Sequence, residues 1–426
     1  MSVSTTARSI RRRRFALYLA LGIGLGVASG VYIWRNGQRI PPLPPSVTEA
    51  DYERASREFA QEYGRPANQV DTWSWLAESY SAKEEWELAA VCFDRIPSDH
   101  PKYGIAARIQ QAHALWKLNR AIDCEAQLNE VLNRARTDAS VDPGRTLQAL
   151  DLKRYLLSVE LRSEALHDVL RIMQALDVLG PEELTTLYFP SLLRWHGPQA
   201  AEALEAFWEA DQDSFPLRVA LARYRIGQGK LTEARELLAG CLEEQPNSLI
   251  AAAAMLECLR ELGDDGAAIP ILERLPELSP NEPWLLMRMR GHFANDHAQS
   301  EQAVEAFSMV LAADPASAEA HQGLATAYRA LGRDEALQRT LARGQVLARI
   351  QNRLGWVQGA ESPAEGLLEV AELCVQIELD SHARGIVDYL QRNEPAFSIP
   401  DTLVAALASD SKSSGNMAHT PAQDAP

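Results

Sequence analysis

The sequence predicts an all-α chain, an α-solenoid of stacked antiparallel helix pairs that is preceded by one N-terminal transmembrane helix. Three observations lead to this prediction: a repeat of 34 or 35 residues, prolines at the joints of that repeat, and an uncharged stretch of 20 residues near the N-terminus. A repeat of this length indicates two-helix units that stack on one another, because one unit alone cannot bury its apolar face.

The repeat is easiest to see at a proline inside an Ala- and Leu-rich stretch, LAADPASAEAHQGLATAYRALGR, at 311–333. A proline in a helix interior removes a hydrogen bond and clashes with the preceding turn, at a cost of about 3 kcal/mol. We therefore expect one helix to end near Asp314, just before Pro315, and a second helix to begin after it. Pro280 and Pro246 lie 35 and 69 residues before Pro315, so the same joint recurs.

Other positions keep this period, and each has a physical role. A small residue in the second helix of each unit lets the first helix approach closely, and a larger apolar residue four positions later fills the space between them. These pairs are Ala234 with Leu238, Ala268 with Leu272, Ala303 with Phe307, and Leu337 with Leu341. The turn between the two helices favours glycine, because its backbone is left-handed. The residues predicted in that turn are Gly229, Gly263, Ala298 and Gly332.

The chain resembles the tetratricopeptide repeat (TPR) family, and residues 73–101 carry the fullest copy of its pattern. The stretch WSWLAESYSAKEEWELAAVCFDRIPSDHP contains W-x2-L-A-x2-Y, then A-x3-F, then a proline, with alanine where the family commonly has glycine. The matching residues are Trp73, Leu76, Ala77, Tyr80, Ala89, Phe93 and Pro101. The resemblance implies a right-handed superhelix whose concave groove receives a peptide or helix of another protein.

The repeat, together with the charge, hydropathy and proline content of the N-terminal residues, predicts the domain boundaries. The predicted segments are a short basic cytoplasmic segment at 1–14, a transmembrane anchor at 15–34, a proline-rich linker at 35–47, the TPR-like superhelix at 48–393 and a mostly disordered C-terminal tail at 394–426. Within the superhelix, the repeats are clearest at 70–103 and 215–351, degenerate at 104–212, and end in a last helix pair at 363–393. An amphipathic helix is predicted from Thr48, with Tyr52, Ala55 and Phe59 on one face, and it is expected to cap the first repeat.

The uncharged stretch Phe15–Trp34 has 20 residues, which is enough to cross about 30 Å of hydrocarbon. Five arginines precede this stretch, whereas only Arg35 and Arg39 follow within the first 40 residues. Basic residues remain on the cytoplasmic side, so the N-terminus is predicted in the cytoplasm and the solenoid outside it. The sequence thus predicts a single-pass protein of a bacterial inner membrane. A chain secreted after signal-peptide cleavage before Gly30 is the alternative.

Two further features concern possible partners. Gly22, Gly26 and Gly30 form successive GxxxG spacings, which allow two anchors to dimerise. Residues 1–40 carry +7 and the whole chain carries −16, so the remaining 386 residues carry −23. An acidic domain repels phosphate backbones, and this charge argues against nucleic acid as a partner.

No motif for chemistry appears in the sequence, and we therefore predict no catalytic residue, cofactor or metal site. The five cysteines form no CxxC and are interpreted as small buried residues, and the nine histidines form no HExxH. Neither a P-loop nor a G-x-S-x-G motif is present. The alternative is an enzyme with a site in 140–212, where Pro190, Trp195 and His196 disturb the repeat.

The family resemblance implies which side chains face the groove in the clear repeats. The candidate partner-binding residues are Arg223, Glu257, Arg260, Arg288, His292, Asn295, Gln322, Thr326 and Arg329. Arginines at such positions predict an acidic peptide or a carboxylate as the ligand, because a guanidinium binds a carboxylate through paired hydrogen bonds. Pairing of the same arginines with nearby glutamates is the alternative.

Together these observations predict a non-enzymatic, membrane-tethered scaffold for protein–protein interaction. The scaffold would bind its partners on the concave face of the superhelix. An assembly factor for an envelope complex, such as a cytochrome-maturation or secretion machine, is the alternative function.

Overall fold

A computed structural model of the protein describes residues 47–138, 140–191, 198–357 and 363–414. These residues contain twenty α-helices and no β-strand, which confirms the predicted all-α class for this part of the chain. The predicted transmembrane stretch Phe15–Trp34 lies outside the described residues. Within them, no helix combines the length and the apolar character that crossing a membrane requires.

The chain divides into two compact units. The first unit comprises residues 47–178 and 198–244, and the second comprises residues 179–191 and 245–414. The helices of the first unit are α1 (Glu49–Tyr63), α2 (Gln69–Ala82), α3 (Trp86–Asp94), α4 (Gly104–Lys117), α5 (Ala121–Thr137), α6 (Pro143–Val159), α7 (Ser163–Ala175), α9 (Pro198–Ala210), α10 (Phe215–Gly227) and α11 (Leu231–Glu244).

The helices of the second unit include one that comes from the middle of the chain. They are α8 (Pro181–Tyr188), α12 (Leu249–Leu262), α13 (Asp265–Leu272), α14 (Trp284–Asp296), α15 (Ser300–Ala313), α16 (Ala318–Ala330), α17 (Asp334–Val357), α18 (Ala364–Gln376), α19 (Asp380–Asn393) and α20 (Asp401–Ser414). In both units, helices that follow each other in the chain form most of the contacts, as stacked helix pairs do.

Side-chain caps mark the start of several first helices of a pair. The side chains of Ser214, Ser248 and Ser317 each accept a hydrogen bond from the backbone N–H three residues later. Such a cap satisfies one of the free N–H groups that every helix start exposes. At Pro315 the expected joint is present, because α15 ends at Ala313 and α16 begins only after the Ser317 cap.

The turn between the two helices of a pair has the left-handed backbone that the sequence predicts. Gly229, Gly263 and Gly332 have φ of 74°, 68° and 67°, and Ala298 has φ of 59° at the equivalent position. Among the non-glycine residues that the structure describes, the sequence analysis missed five with positive φ, which lie in other turns. They are Glu84, Asn119, Leu161, Asp177 and Glu378.

The predicted packing positions hold in most of the clear repeats. Ala234, Ala268 and Ala303 are completely buried, as are Leu238 and Phe307. Leu272 and Leu341 depart from the prediction, because Leu272 is only half-buried and Leu341 is exposed on α17. The buried stripe of this 24-residue helix runs instead through Leu337, Thr340 and Leu347, so Leu341 points away from it.

The N-terminal helix α1 packs on the first repeat. Ala55 and Phe59 are buried, and the Tyr52 ring lies 4.9 Å from the Trp73 ring, so the face predicted to cap the repeat is in contact with it. The five cysteines are buried free thiols, in keeping with their interpretation as small core residues. Burial raises the pKa of the Cys92 thiol to about 12, which leaves it protonated at neutral pH.

Two predictions about the weaker segments need correction. The last degenerate repeat, near 181–212, does not form one helix pair, because α8 belongs to the second unit and α9 to the first. Part of the predicted disordered tail is helical: α20 covers residues 401–414, and its Leu403 and Leu407 are buried. Residues four positions apart lie on the same face of a helix, so Leu403 and Leu407 form one buried apolar face of α20.

Candidate partner-binding surfaces

Most of the predicted groove residues lie in the second unit, on the first helices α12, α14 and α16 of three successive helix pairs. There Glu257, Arg288 and His292 form a network of charges with Glu319. One guanidinium nitrogen of Arg288 lies 3.3 Å from Glu257, and another lies 3.0 Å from Glu319. The Nε2 atom of His292 lies 2.7 Å from the other oxygen of Glu319.

Glu319 lies at the centre of this network, and the sequence analysis did not select it. Burial tends to raise the pKa of the Glu319 carboxyl, but the hydrogen bond with His292 and the charge of Arg288 outweigh burial. The pKa of Glu319 is therefore lowered overall, and the carboxylate is charged at neutral pH. The charge of Arg288 is balanced by neighbouring glutamates, as the alternative in the sequence analysis expects.

The remaining predicted residues of the second unit have less uniform surroundings. Arg260 lies 4.0 Å from Asp296, and the Asn295 side chain donates to the Gly323 carbonyl at 2.9 Å. Gln322, Thr326 and Arg329 are exposed on α16. The prediction that this surface binds an acidic peptide stays a prediction, and these exposed residues offer the accessible part of it.

Arg223 differs from the other predicted residues because it belongs to the first unit. Its guanidinium donates a hydrogen bond of 3.0 Å to the backbone carbonyl of Leu161. Leu161 has a φ of 55° in the turn that follows α6, and Arg223 thus helps to hold a strained turn. This contact gives Arg223 a structural role within its unit.

The first unit contains an open cleft that the sequence analysis did not identify. The cleft has a volume of about 610 Å³ and lies between α4 and α6, the first helices of two successive pairs. It is lined by Ile109, Gln110, His113, Trp116, Gln148, Asp151, Leu152 and Tyr155. The sequence analysis applied the groove positions of the family only to the clear repeats. It therefore missed this cleft, because α4 and α6 both lie in the degenerate region 104–212.

Aromatic rings form a chain along this cleft. The Trp116 ring lies 5.6 Å from the Tyr155 ring in an edge-to-face arrangement, and 5.5 Å from the His113 ring. His113 in turn contacts Trp86 edge-on at 5.7 Å. Edge-to-face pairs of this kind fix the orientation of each ring. The cleft therefore presents a preorganised apolar wall.

Polar groups at the cleft are few. Gln110, Gln148 and Asp151 offer amide and carboxylate groups at its edge. Burial, followed by the nearby charge of Lys117, lowers the pKa of His113, so this imidazole is neutral at pH 7. An apolar surface with a small number of polar groups is typical of sites that bind a side chain or a small ligand.

The first unit also contains a buried cluster of charged residues, within and beside the region considered for an enzyme site. Arg162 lies 2.6 Å from Glu125 and 2.9 Å from Glu160, and Lys153 lies 3.9 Å from Glu125. Burial raises the pKa of Glu160 and lowers the pKa of Lys153. We interpret the cluster as structural, because its carboxylates are paired with cations and almost inaccessible to solvent.

Two other observations concern chemistry. In the part of the chain that the structure describes, no three His, Cys, Asp or Glu residues are placed to hold a metal ion. Trp195 and His196, which the enzyme alternative invoked, lie outside the described residues.

A sequence profile of the tetratricopeptide repeat family matches residues 225–288. This match supports the family predicted from the repeat pattern for the segment from α10 to α14. No curated protein matches the chain in sequence.

Among solved structures, a tetratricopeptide repeat protein from Parabacteroides merdae is similar at 12% identity over 64% of this chain and 99% of that one, with a TM-score of 0.29. The Cut9–Hcn1 hetero-tetramer of the APC/C is similar at 12% identity over 84% and 80%, with a TM-score of 0.29. Yeast Tom70 is similar at 13% identity over 95% and 85%, with a TM-score of 0.24. Sequence identities and TM-scores of this size indicate neither a shared function nor a shared partner.

Proposed function

We propose that the protein is a non-enzymatic scaffold that binds a partner protein, with the aromatic cleft of the first unit as its main recognition site. The observation that carries this proposal is the open cleft of about 610 Å³ with Trp116 and Tyr155 in edge-to-face contact along its wall. Aromatic residues in such positions commonly dominate the energy of protein interfaces. An apolar or aromatic side chain of the partner would fill the cleft.

The surface of the second unit has a secondary role in this proposal. Arg288 is paired with Glu257 and Glu319, so a partner carboxylate would have to displace an existing ion pair. The apolar cleft needs no such exchange, because transfer of an apolar side chain from water is favourable by itself. We therefore place the larger share of binding energy in the cleft.

Site-specific photo-crosslinking in cells of the source organism tests this proposal. A photoreactive phenylalanine at position 116 or 155 should form an adduct with the same partner protein, and Trp356 on α17 supplies a matched exposed control position. With that partner purified, Trp116→Ala should weaken binding at least about tenfold, which corresponds to about 1.4 kcal/mol. An equal yield of this adduct from position 356, or an unchanged affinity of the Trp116→Ala variant for the partner, would contradict the proposal.

The same binding measurement shows whether the cleft or the predicted groove arginines of the second unit contribute more to the affinity. Arg260→Ala combined with Arg288→Ala should change the affinity much less than Trp116→Ala does. If the double change instead abolishes binding, and added salt weakens wild-type binding strongly, the arginines are the main site. Exposed charges are screened beyond about 10 Å at 0.1 M salt, whereas an apolar cleft is not affected in this way.

We further propose that residues 15–34 anchor the chain in a bacterial inner membrane, with the helical units on the extracytoplasmic side. The arginines on the N-terminal side of this stretch support that orientation. A reporter that fluoresces only in the cytoplasm, fused after Pro426, is expected to remain dark. Replacing Arg11 to Arg14 with glutamate should increase its signal. A bright wild-type fusion would refute the orientation, and a chain shortened at Gly30 would favour the secreted alternative.

A further inference from the structure

Residues 179–191 belong to the second unit, although in the sequence they lie between two parts of the first unit. The chain enters this segment from the first unit after Val178, and residues 198–244 belong to the first unit again. The segment contains only the eight-residue helix α8, which begins at Pro181 and ends at Tyr188. A helix this short is not stable by itself in water, so its structure depends on the surface on which it docks.

Part of that surface belongs to α19, about 200 residues further along the chain. The side chain of Phe189 is completely buried, and its ring lies 5.5 Å from the His382 ring. The Tyr188 ring lies 5.1 Å from the same histidine. Two consecutive aromatic residues thus pack against the His382 ring, and the buried Phe189 is the anchor of the segment.

A glycine makes room for the second aromatic ring. A Cβ atom placed on Gly385 would lie 1.8 Å from the Tyr188 hydroxyl oxygen and 2.3 Å from the ring carbon that bears it. Gly385 is inside α19, where its backbone needs no special conformation. Alanine would be the better helix former at such a position, so the absence of a side chain matters for the contact with Tyr188.

Hydrogen bonds hold the segment on both sides of Phe189. The His382 ring bonds to the backbone of Tyr188, and Ser191 bonds to the Asp314 carboxylate through its hydroxyl and its backbone N–H. The two residues that bond to the segment, His382 and Asp314, are both buried. Burial raises the pKa of Asp314 to about 6 although the bonds from Ser191 lower it, so the carboxylate still accepts these bonds at pH 7.

We propose that the surface around His382 and Gly385 is a binding site for a short helix that ends in two aromatic residues. In this structure, residues 179–191 fill the site in cis. A partner protein that presents the same pattern would compete with them. Buried aromatic anchors commonly dominate the energy of protein interfaces, and a short helix docked in a groove is a common mode of peptide recognition. The proposal is independent of the aromatic cleft, because it concerns a different surface in the other unit.

A fluorescent peptide with the sequence of residues 178–191 tests the proposal on the full-length chain in detergent. The wild-type site is filled, so the peptide should bind weakly. Tyr188→Ala with Phe189→Ala should vacate the site and strengthen peptide binding at least tenfold. Adding Gly385→Leu to that variant should return binding to the wild-type level, because leucine occupies the place of the Tyr188 ring. A peptide with alanine at both aromatic positions is the matched control.

Hydrogen exchange on the wild-type chain covers the case in which the vacated variant fails to fold. The amides of residues 182–189 are expected to exchange well before those of α19, as a detachable segment requires. Exchange of both sets at one common rate would show that the segment is part of the folded core, and would overturn the proposal. Equal peptide binding by the wild-type and vacated chains, or no binding by a folded vacated chain, would overturn it as well.

Discussion

Replacing Arg162 with methionine is expected to lower the free energy of unfolding by about 3–5 kcal/mol. Arg162 is the cation nearest to two buried carboxylates, at 2.6 Å from Glu125 and 2.9 Å from Glu160. Among the ion pairs of the described residues, Lys153 at 3.9 Å from Glu125 is then the cation left beside these carboxylates. Two carboxylates would then share one cation in an environment that solvates charge poorly, and this accounts for the size of the effect.

Chemical denaturation followed by circular dichroism measures this loss. Arg57→Met is the matched control, because Arg57 and its partner Glu53 are both exposed at 3.7 Å, and an exposed pair contributes little. Adding Glu125→Gln and Glu160→Gln to Arg162→Met should restore part of the stability, since both buried carboxylates are then neutral and only Lys153 of the four groups keeps its charge. A loss below about 1 kcal/mol would mean that water reaches the cluster.

The pH dependence of the variant follows from the direction of the pKa shift. Burial raises the folded-state pKa of Glu160 above its unfolded value. A raised carboxyl pKa favours the folded state below the unfolded pKa and loses that contribution as pH rises through the folded pKa. The cost of Arg162→Met should therefore shrink as pH falls through the raised pKa of Glu160, and the reduction should be complete below about pH 4, the ordinary range of a free carboxyl group.

The second large effect is expected at Phe307, where alanine should lower the free energy of unfolding by about 3–5 kcal/mol. Phe307 on α15 is completely buried, and two glycines face its ring from α14 and α16. A Cβ atom on Gly291 would lie 2.7 Å from the ring, and one on Gly323 would lie 2.3 Å from it. Because neither glycine has a side chain that can move into the space, the cavity would remain.

Thermal and denaturant unfolding measure the effect, with the exposed Trp356→Ala as a control that should stay within about 0.5 kcal/mol. Gly323→Ala alone should cost about 1–3 kcal/mol through overpacking. In the Phe307→Ala background the same change should cost much less, because the ring it clashes with is gone. Additive effects of the two substitutions would show that Gly323 and Phe307 are not in contact.

The sequence by itself determined the helix pairs and much of their register. Pro315 marks a joint, Gly229, Gly263 and Gly332 occupy left-handed turns, and Ala303 is completely buried, as the period of 34 or 35 residues predicts. These features could be predicted because each depends on residues less than one repeat apart. Backbone conformation and packing between adjacent helices leave a periodic trace in the sequence.

Only the tertiary structure decided where the less regular segments pack and which charges meet. Phe189 contacts His382 across more than 190 residues of chain, and Glu319 joins Arg288 and His292 in one network. The aromatic cleft between α4 and α6 likewise depends on two helices in which the repeat pattern is weak. Contacts over such sequence distances have no fixed spacing, so no periodicity records them. The candidate sites therefore appear only when the folded chain brings these residues together.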